Sequence, residues 1–328
     1  MRAGRGSFQI LLATLNGARF LEEQIESLER QTVAHIHVLA SDDGSDDDTL
    51  ALLERARSRW TRGRFEIISG PGMGFARNFR HLIEQAPRDA DFYAFCDQDD
   101  IWHADKLQRA AEACALGDST RPFAFGSASA LIDAQGRSLG QAPRRRGGPG
   151  IRNAVIQNIA SGHTMVTNRA GFALLADTAA SIGPFPHDHW LYLIIEGTGG
   201  RFHLSSEPTV DWRQHQDNAI GARIPPFYRP RRSRFERLRR GKLRGRMVAS
   251  IALLDAWRDL LTDEAKEVVD QCRVIHTCPN ALTRMKVLHR AGLYRTSFTG
   301  QIGLWLDFLL NFNVTRSVWG IQPARIPT

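Results

Sequence analysis

Long apolar runs are missing from this sequence: none reaches the roughly 18 to 20 residues that cross a bilayer. The basic opening, residues 1–8, holds no signal-peptide apolar stretch, so a cytoplasmic protein is expected. Cysteine is scarce. Cys96, Cys114, Cys272 and Cys278 lie far apart with no CxxC pair, which excludes a zinc ribbon or disulfide framework and fits a reducing compartment. Two phosphate-binding signatures are also absent. The first strand-to-helix turn reads TLNGARF with no GxGxxG, and GxxxxGK[ST] occurs nowhere, so a nicotinamide dinucleotide fold and a P-loop are excluded. Residues 70–74 do spell GxGxG, but after the third strand, where glycines let backbone and Arg77 approach a ligand closely.

What is present is ordinary globular material, 42% hydrophobic and 24% charged over 328 residues, enough for a sizeable core. The net charge of +8 is local: residues 229–246 hold ten Lys/Arg and one Glu, a balance of +9 that leaves −1 for the remainder. The basic character therefore belongs to one segment.

Two periodicities alternate in the first hundred residues. Short apolar runs at 8–13, 35–41, 65–69 and 92–96 suit strands covered on both faces. Between them, 20–31, a segment capped by Ser45 and carrying Leu50, Leu53 and Trp60, and 76–85 have helical spacing. The alternation predicts an α/β fold, a doubly wound, mostly parallel sheet flanked by helices. Beyond it, 123–132 reads as one or two strands and 134–152 as a loop. A strand near 163–167 leads into a helix from Arg169, 187–197 is a loop-to-helix element, and 208–215 a last strand. After residue 225 the chain turns helical, at 247–261, 263–275 and 301–312. The division expected is 1–224 as one α/β domain and 225–328 as a basic, helical C-terminal region.

In an open parallel sheet, ligands bind beyond the carboxyl ends of the strands. All four early strands end in polar residues: Thr14, Asn16 and Gly17; Asp42 to Ser45; Gly70 to Gly74 with Arg77 and Asn78; Asp97 to Asp100. Each alone reads equally as turn and cap chemistry; four on one rim point to a site. The CDQDD cluster is the sharpest. Three carboxylates within four residues repel unless a cation or a row of amides neutralises them, and hard oxygen donors select Mg²⁺ or Mn²⁺. A metal bridging a diphosphate is the preferred reading, an acidic helix cap the alternative.

Taken together, ATLNGARFLEEQIESLERQT, SDDGSDDDT, GFARNFRHLI, FCDQDDIWHADKL, SGHTMVTNRAG, HDHWLYL and WRQHQDNAIG resemble a family 2 glycosyltransferase of the GT-A fold, in its bacterial rhamnosyltransferase-like branch. The resemblance covers residues 8–221. It implies an inverting transfer of a sugar from a nucleotide diphosphate donor, dTDP- or UDP-linked, to a hydroxyl of a glycan or lipid-linked acceptor in cell-surface polysaccharide synthesis. dTDP-rhamnose is the expected donor, although Leu15, standing where the family carries an aromatic or polar residue, leaves uracil and thymine both open. By analogy Thr14, Asn16, Asp42, Asp43, Arg77 and Asp97 hold the nucleotide. Asp99 contacts the metal, with His215 a later ligand. Gly162, His163, Thr164 and Arg213 lie beside the donor sugar and phosphates. Asp188 matches the general base, the alternative being a helix cap. Flanking His187 and His189 suggest a rival metal site, yet adjacent helical positions diverge. A structural histidine and ordinary strand packing are the alternatives at His215 and at Gly162 to Thr164.

The tail permits peripheral association with an anionic membrane through 229–261, on the cytoplasmic face of the inner membrane, and 302–312 is apolar enough to dip into an interface. A solvated helix face packed on the catalytic domain is the alternative. Aromatics among the arginines are few (Phe227, Tyr228, Phe235), so nucleic acid is not an expected partner. Two other functions stay open: a nucleotidyltransferase on a similar sheet, and a non-catalytic nucleotide- or membrane-binding module.

Overall fold

A computed structural model describes residues 6–142, 147–183, 185–216, 218 and 242–310. Most of the arginine-rich run, residues 229–241, lies outside the described residues, as do 1–5 and 311–328, and with them the ends of several sequence readings.

The order begins β1 (Ser7–Thr14), α1 (Ala18–Glu29), β2 (His35–Asp42), α2 (Thr49–Arg59), β3 (Phe65–Ser69), α3 (Phe75–Gln85), β4 (Phe92–Cys96), β5 (Ile101–Trp102) and α4 (Lys106–Ala115). There follow β6 (Phe123–Asp133), β7 (Ser138–Gln141), α5 (Ile151–Ala154), β8 (Val166–Asn168), α6 (Arg169–Ile182), α7 (His187–Gly197) and β9 (Arg201–Gln214). Four helices close the described chain: α8 (Lys242–Ala256), α9 (Asp263–Thr277), α10 (Ala281–Ala291) and α11 (Phe298–Leu309).

The nine strands form one sheet ordered β3-β2-β1-β4-β8-β6-β9-β5, with β7 pairing β6. β1 to β4 pair in parallel, as the helical crossovers between them require. The sheet as a whole is mixed. β8 runs antiparallel to β4 and to β6, and β5 antiparallel to β9. Register puts Thr14 beside Asp42 and Asp42 beside Ser69, so the first three strands end level on one rim. Beneath it, Ile10, Leu12, Val38, Ala40 and Ala94 pack with Leu21, Ile25, Leu28 and Leu53 of α1 and α2 in one apolar core.

Several local readings change. Ser45 does not cap α2, which starts at Thr49 behind Asp48; its hydroxyl donates to Asp42 at 2.6 Å instead. The expected loop 134–152 contains β7, and α10 is a helix that the sequence reading lacks. His163 lies not on a strand but in a single 3₁₀ turn, Gly162–Thr164, before β8.

Two compact units are present. The first gathers 1–144, 160–179 and 203–229; the second gathers 145–159, 180–202 and 230–328. Where the sequence reading draws one boundary at 224, the chain crosses between units several times. In the second unit α8 buries Met247, Ile251, Leu253 and Leu254, while Arg284 of α10 donates to the carbonyls of Phe308 and Leu309 at 2.6 and 3.2 Å and closes the end of α11.

Candidate active site

The rim of the first unit is built by hydrogen bonds that the turns make to one another. Asp42 is the knot between β1 and β2. One oxygen accepts the hydroxyls of Thr14 (2.9 Å) and Ser45 (2.6 Å), and the other accepts the Ser45 backbone N–H (2.8 Å). Asn16 adopts φ +49°, and its Oδ1 accepts the Asp46 N–H at 2.9 Å, fixing the β1–α1 turn to the β2–α2 loop. Asp43 reaches the other way: its two oxygens accept the Gly72 and Gly74 N–H groups, each at 2.7 Å. Both glycines have positive φ, +67° and +86°, where a side chain is strained. Thr14, Asp42 and Asp43 are therefore buried supports of the rim, and Arg77 stands exposed on the first turn of α3.

The acidic tip after β4 is gripped from both sides. Gln98 clasps the Leu15 peptide, accepting its N–H at 2.7 Å and donating to its carbonyl at 2.9 Å. Arg213, 1% exposed, donates to the Asp99 carbonyl at 2.9 Å and to Glu23 at 2.6 Å, while its own N–H reaches Asp100 at 3.0 Å. With its guanidinium so engaged, Arg213 positions the tip; the expected phosphate contact has no free fork to use.

Two carboxylate–imidazole groupings result. Asp99 lies 2.8 Å from His215 Nε2, whose ring packs at 4.8 Å from Phe20. On the other face His163 Nδ1 stands 3.6 Å from Asp97 and 3.7 Å from Asp100, with its Nε2 3.0 Å from the Ser129 hydroxyl. Asp97, Asp100 and His163 offer donor atoms within 4.8 Å of one another, the one such grouping among the described residues. Asp100 is completely buried and its Oδ2 has no hydrogen-bond partner. Burial pushes its carboxyl up to about 8, against the pull of His163. Burial alone would lower His163, yet Asp100 and Asp97 outweigh it and raise its pKa. Lys106 completes the floor: its Nζ donates to the His163 carbonyl and lies 3.2 Å from the Trp102 ring centroid, with burial lowering it to about 7. Two oxygens and a nitrogen, one oxygen buried without a partner, suit a divalent cation.

The sequence reading thus brings Asp97, Asp99, His163 and His215 together, although His163 joins the acidic tip rather than a sugar subsite. Thr164 spends its hydroxyl on the Ser161 carbonyl at 2.8 Å, and Gly162 accepts the Met165 N–H at 2.8 Å, both ordinary turn packing. Gln98 and Lys106 were missed. Their signal was in the quoted run CDQDDIWHADKL, where a neutral Gln interrupts acids and a Lys follows them.

Asp188 belongs to the second unit, half-buried in the first turn of α7, and its Oδ1 accepts the His189 N–H at 2.7 Å. His189 is buried, bonded to the Ala154 carbonyl at 2.7 Å and stacked on Phe185; burial, then Arg246, lowers it to about 3. It is a neutral structural histidine, which removes the rival metal site.

Residues 9–118 match the family described as Glycosyl transferase family 2. Over 223 residues the chain is 26% identical to dTDP-rhamnosyl transferase RfbG of Shigella flexneri, covering 65% of this chain and 74% of that protein. It is 34% identical over 105 residues to the succinoglycan biosynthesis protein ExoW of Rhizobium meliloti, 30% of this chain and 31% of that one. In fold it is similar to S. aureus TarS 1-349 in complex with UDP-GlcNAc (TM-score 0.50, 16% identity, 93% of this chain and 91% of that). The mannosyltransferase PcManGT from Pyrobaculum calidifontis, in complex with GDP-Man and Mn²⁺, is as similar (TM-score 0.50, 15% identity, 93% and 85%). A parallel β1–β4 edge carrying an acidic tip, joined to these likenesses, marks residues 9–118 as a region similar to family 2 glycosyltransferases, on a GT-A-type fold.

Proposed function

We propose that the protein transfers a sugar, with inversion, from a dTDP- or UDP-linked donor to a hydroxyl of a glycan or lipid-linked acceptor in surface polysaccharide synthesis, with dTDP-rhamnose as the donor. The observation that carries this reading is the convergence of three carboxylates and two imidazoles where β4 ends. A named dTDP-rhamnosyl transferase among the relatives supports the donor.

Asp99 and His215 would hold Mg²⁺ or Mn²⁺, and the grouping of Asp97, Asp100 and His163 favours the other face of the same tip as a second reading. A bound divalent ion supplies charge neutralisation for the departing diphosphate. The chain's own residues do the rest. Asn16 and Arg77 line the nucleotide side, on a rim that Asp43 supports from within. Arg213, Gln98 and Lys106 keep the tip in place without touching donor. Asp188 takes the proton from the attacking acceptor hydroxyl; its Oδ1 accepts the His189 N–H at 2.7 Å.

Calorimetric titration of dTDP-rhamnose and UDP-sugars with and without Mn²⁺, joined to a transfer assay, tests the reading. Asp99→Ala is expected to lose Mn²⁺-dependent binding, and Asp188→Ala to bind donor but not turn over. Retained turnover in both variants overturns the assignment, and pyrophosphate release from a nucleoside triphosphate would make the protein a nucleotidyltransferase.

A further inference from the structure

Helix α11 is apolar on its outside. Its one charged side chain, Asp307, is 1% exposed, whereas Phe298, Ile302, Leu306, Leu309 and Leu310 stand in solvent, Phe298 at 81%. Positions 298, 302, 306 and 309–310 recur every three to four residues, so they form one stripe along about 18 Å of helix. Half-buried Trp305 lies on that stripe, its ring centroid 6.2 Å from that of His289 on α10. Lys286 and Arg290 flank His289 on the same exposed face of α10. From Cys278 to Leu310 Asp307 is the sole carboxylate, and it is buried, so α10 and α11 themselves bring exposed cations and no exposed acid to the border of the stripe.

We infer that the α11 stripe, with Lys286 and Arg290 of α10 beside it, docks the protein on an anionic lipid surface. An apolar, aromatic-bearing helix face with cations along its edge and no exposed acid lies in the plane of a bilayer and is attracted to negative headgroups. Twelve residues cannot span one, and no described helix is long and apolar enough to do so. A second copy of the chain fits less well, because pairing like faces would set Lys286 and Arg290 against their equivalents. The sequence reading assigned lipid contact to 229–261 and let 302–312 dip into an interface; in the described part of the first segment Met247, Ile251, Leu253, Leu254 and Leu261 are buried, and Leu260 is its one exposed large apolar residue. The inference does not depend on the donor or the acceptor.

The test is sedimentation of the full chain with phosphatidylcholine vesicles, with and without a third of phosphatidylglycerol. The wild type is expected to bind the anionic vesicles and to bind neutral ones weakly. Ile302→Glu/Leu306→Glu and Lys286→Glu/Arg290→Glu are each expected to weaken binding about tenfold or more, with circular dichroism and melting unchanged. Should the first pair misfold, Ile302→Ser/Leu306→Ser replaces it. Wild type that stays in the supernatant overturns the inference. So does undiminished binding of the Ile302 and Leu306 variants, which would leave only the arginine run attracting the vesicles. A wild-type dimer that these variants convert to monomer would assign the stripe to a second copy and overturn it as well.

Discussion

Gly17 shows why one residue of the rim is glycine. A Cβ there would stand 2.3 Å from Gln98 Oε1, so Gln98 would have to swing away and release both bonds to the Leu15 peptide. Gly17→Ala is expected to cost about 1–2 kcal/mol by urea denaturation and to weaken donor affinity more than that, since the acidic tip loses one of its two grips. An unchanged affinity would separate the clasp from the site. Glu196 of α7 gives a second prediction. Burial, reinforced by Glu264, lifts its carboxyl from 4.5 to about 7. The folded chain thus binds this proton more tightly than the unfolded one. Its contribution is full below pH 4.5 and is lost as pH rises through 7, by up to about 3 kcal/mol. Glu196→Gln should flatten stability between pH 5 and 7.5 in melts over that range. Residue identities announced the acids but not their partners. That Asp43 spends both oxygens on Gly72 and Gly74, or that Arg213 is buried against Glu23, depends on turns that only the folded rim sets side by side.

At the level of elements, β1 to β4 and α1 to α3 were legible because each buries one continuous face, and that burial writes a period into the sequence. Residues 92–96 match β4 at both ends. β7 was not legible: all four of its residues are exposed, so no apolar pattern marks it, and its pairing with β6 is a backbone matter. α10 was missed for a related reason, since one of its few buried positions is Arg284, a charge where a period search expects an apolar residue. That arginine donates to the carbonyls of Cys278, Phe308 and Leu309 and so ties the start of α10 to the end of α11. Arg284→Met, similar in length but without donors, leaves those carbonyls unpaired and should destabilise the second unit by about 2–4 kcal/mol in a denaturant melt. Arg284→Lys should recover only part, because one ammonium cannot reproduce the planar fork.

Across the whole molecule, charge is segregated. With +9 carried by 229–246, the remaining sequence sums to −1 and has no net positive charge with which to draw an anionic nucleotide. Affinity for the donor must come instead from the local field of the rim, where carboxylates facing a diphosphate are unfavourable until a divalent ion stands between them. Donor and Mn²⁺ should therefore stabilise the fold together and not separately. At a donor concentration about 100-fold above Kd the stabilisation is roughly 2.7 kcal/mol, a rise in melting temperature of about 5–11 °C for a unit of this size. dTDP-rhamnose with Mn²⁺ is expected to give that rise. EDTA should erase it, Asp99→Ala should not show it, and Asp188→Ala should keep it, because the role proposed for Asp188 contributes to turnover and not to donor binding. A full shift in EDTA would mean that the acidic tip is a structural cap and that the rim amides and Arg77 hold the diphosphate by themselves.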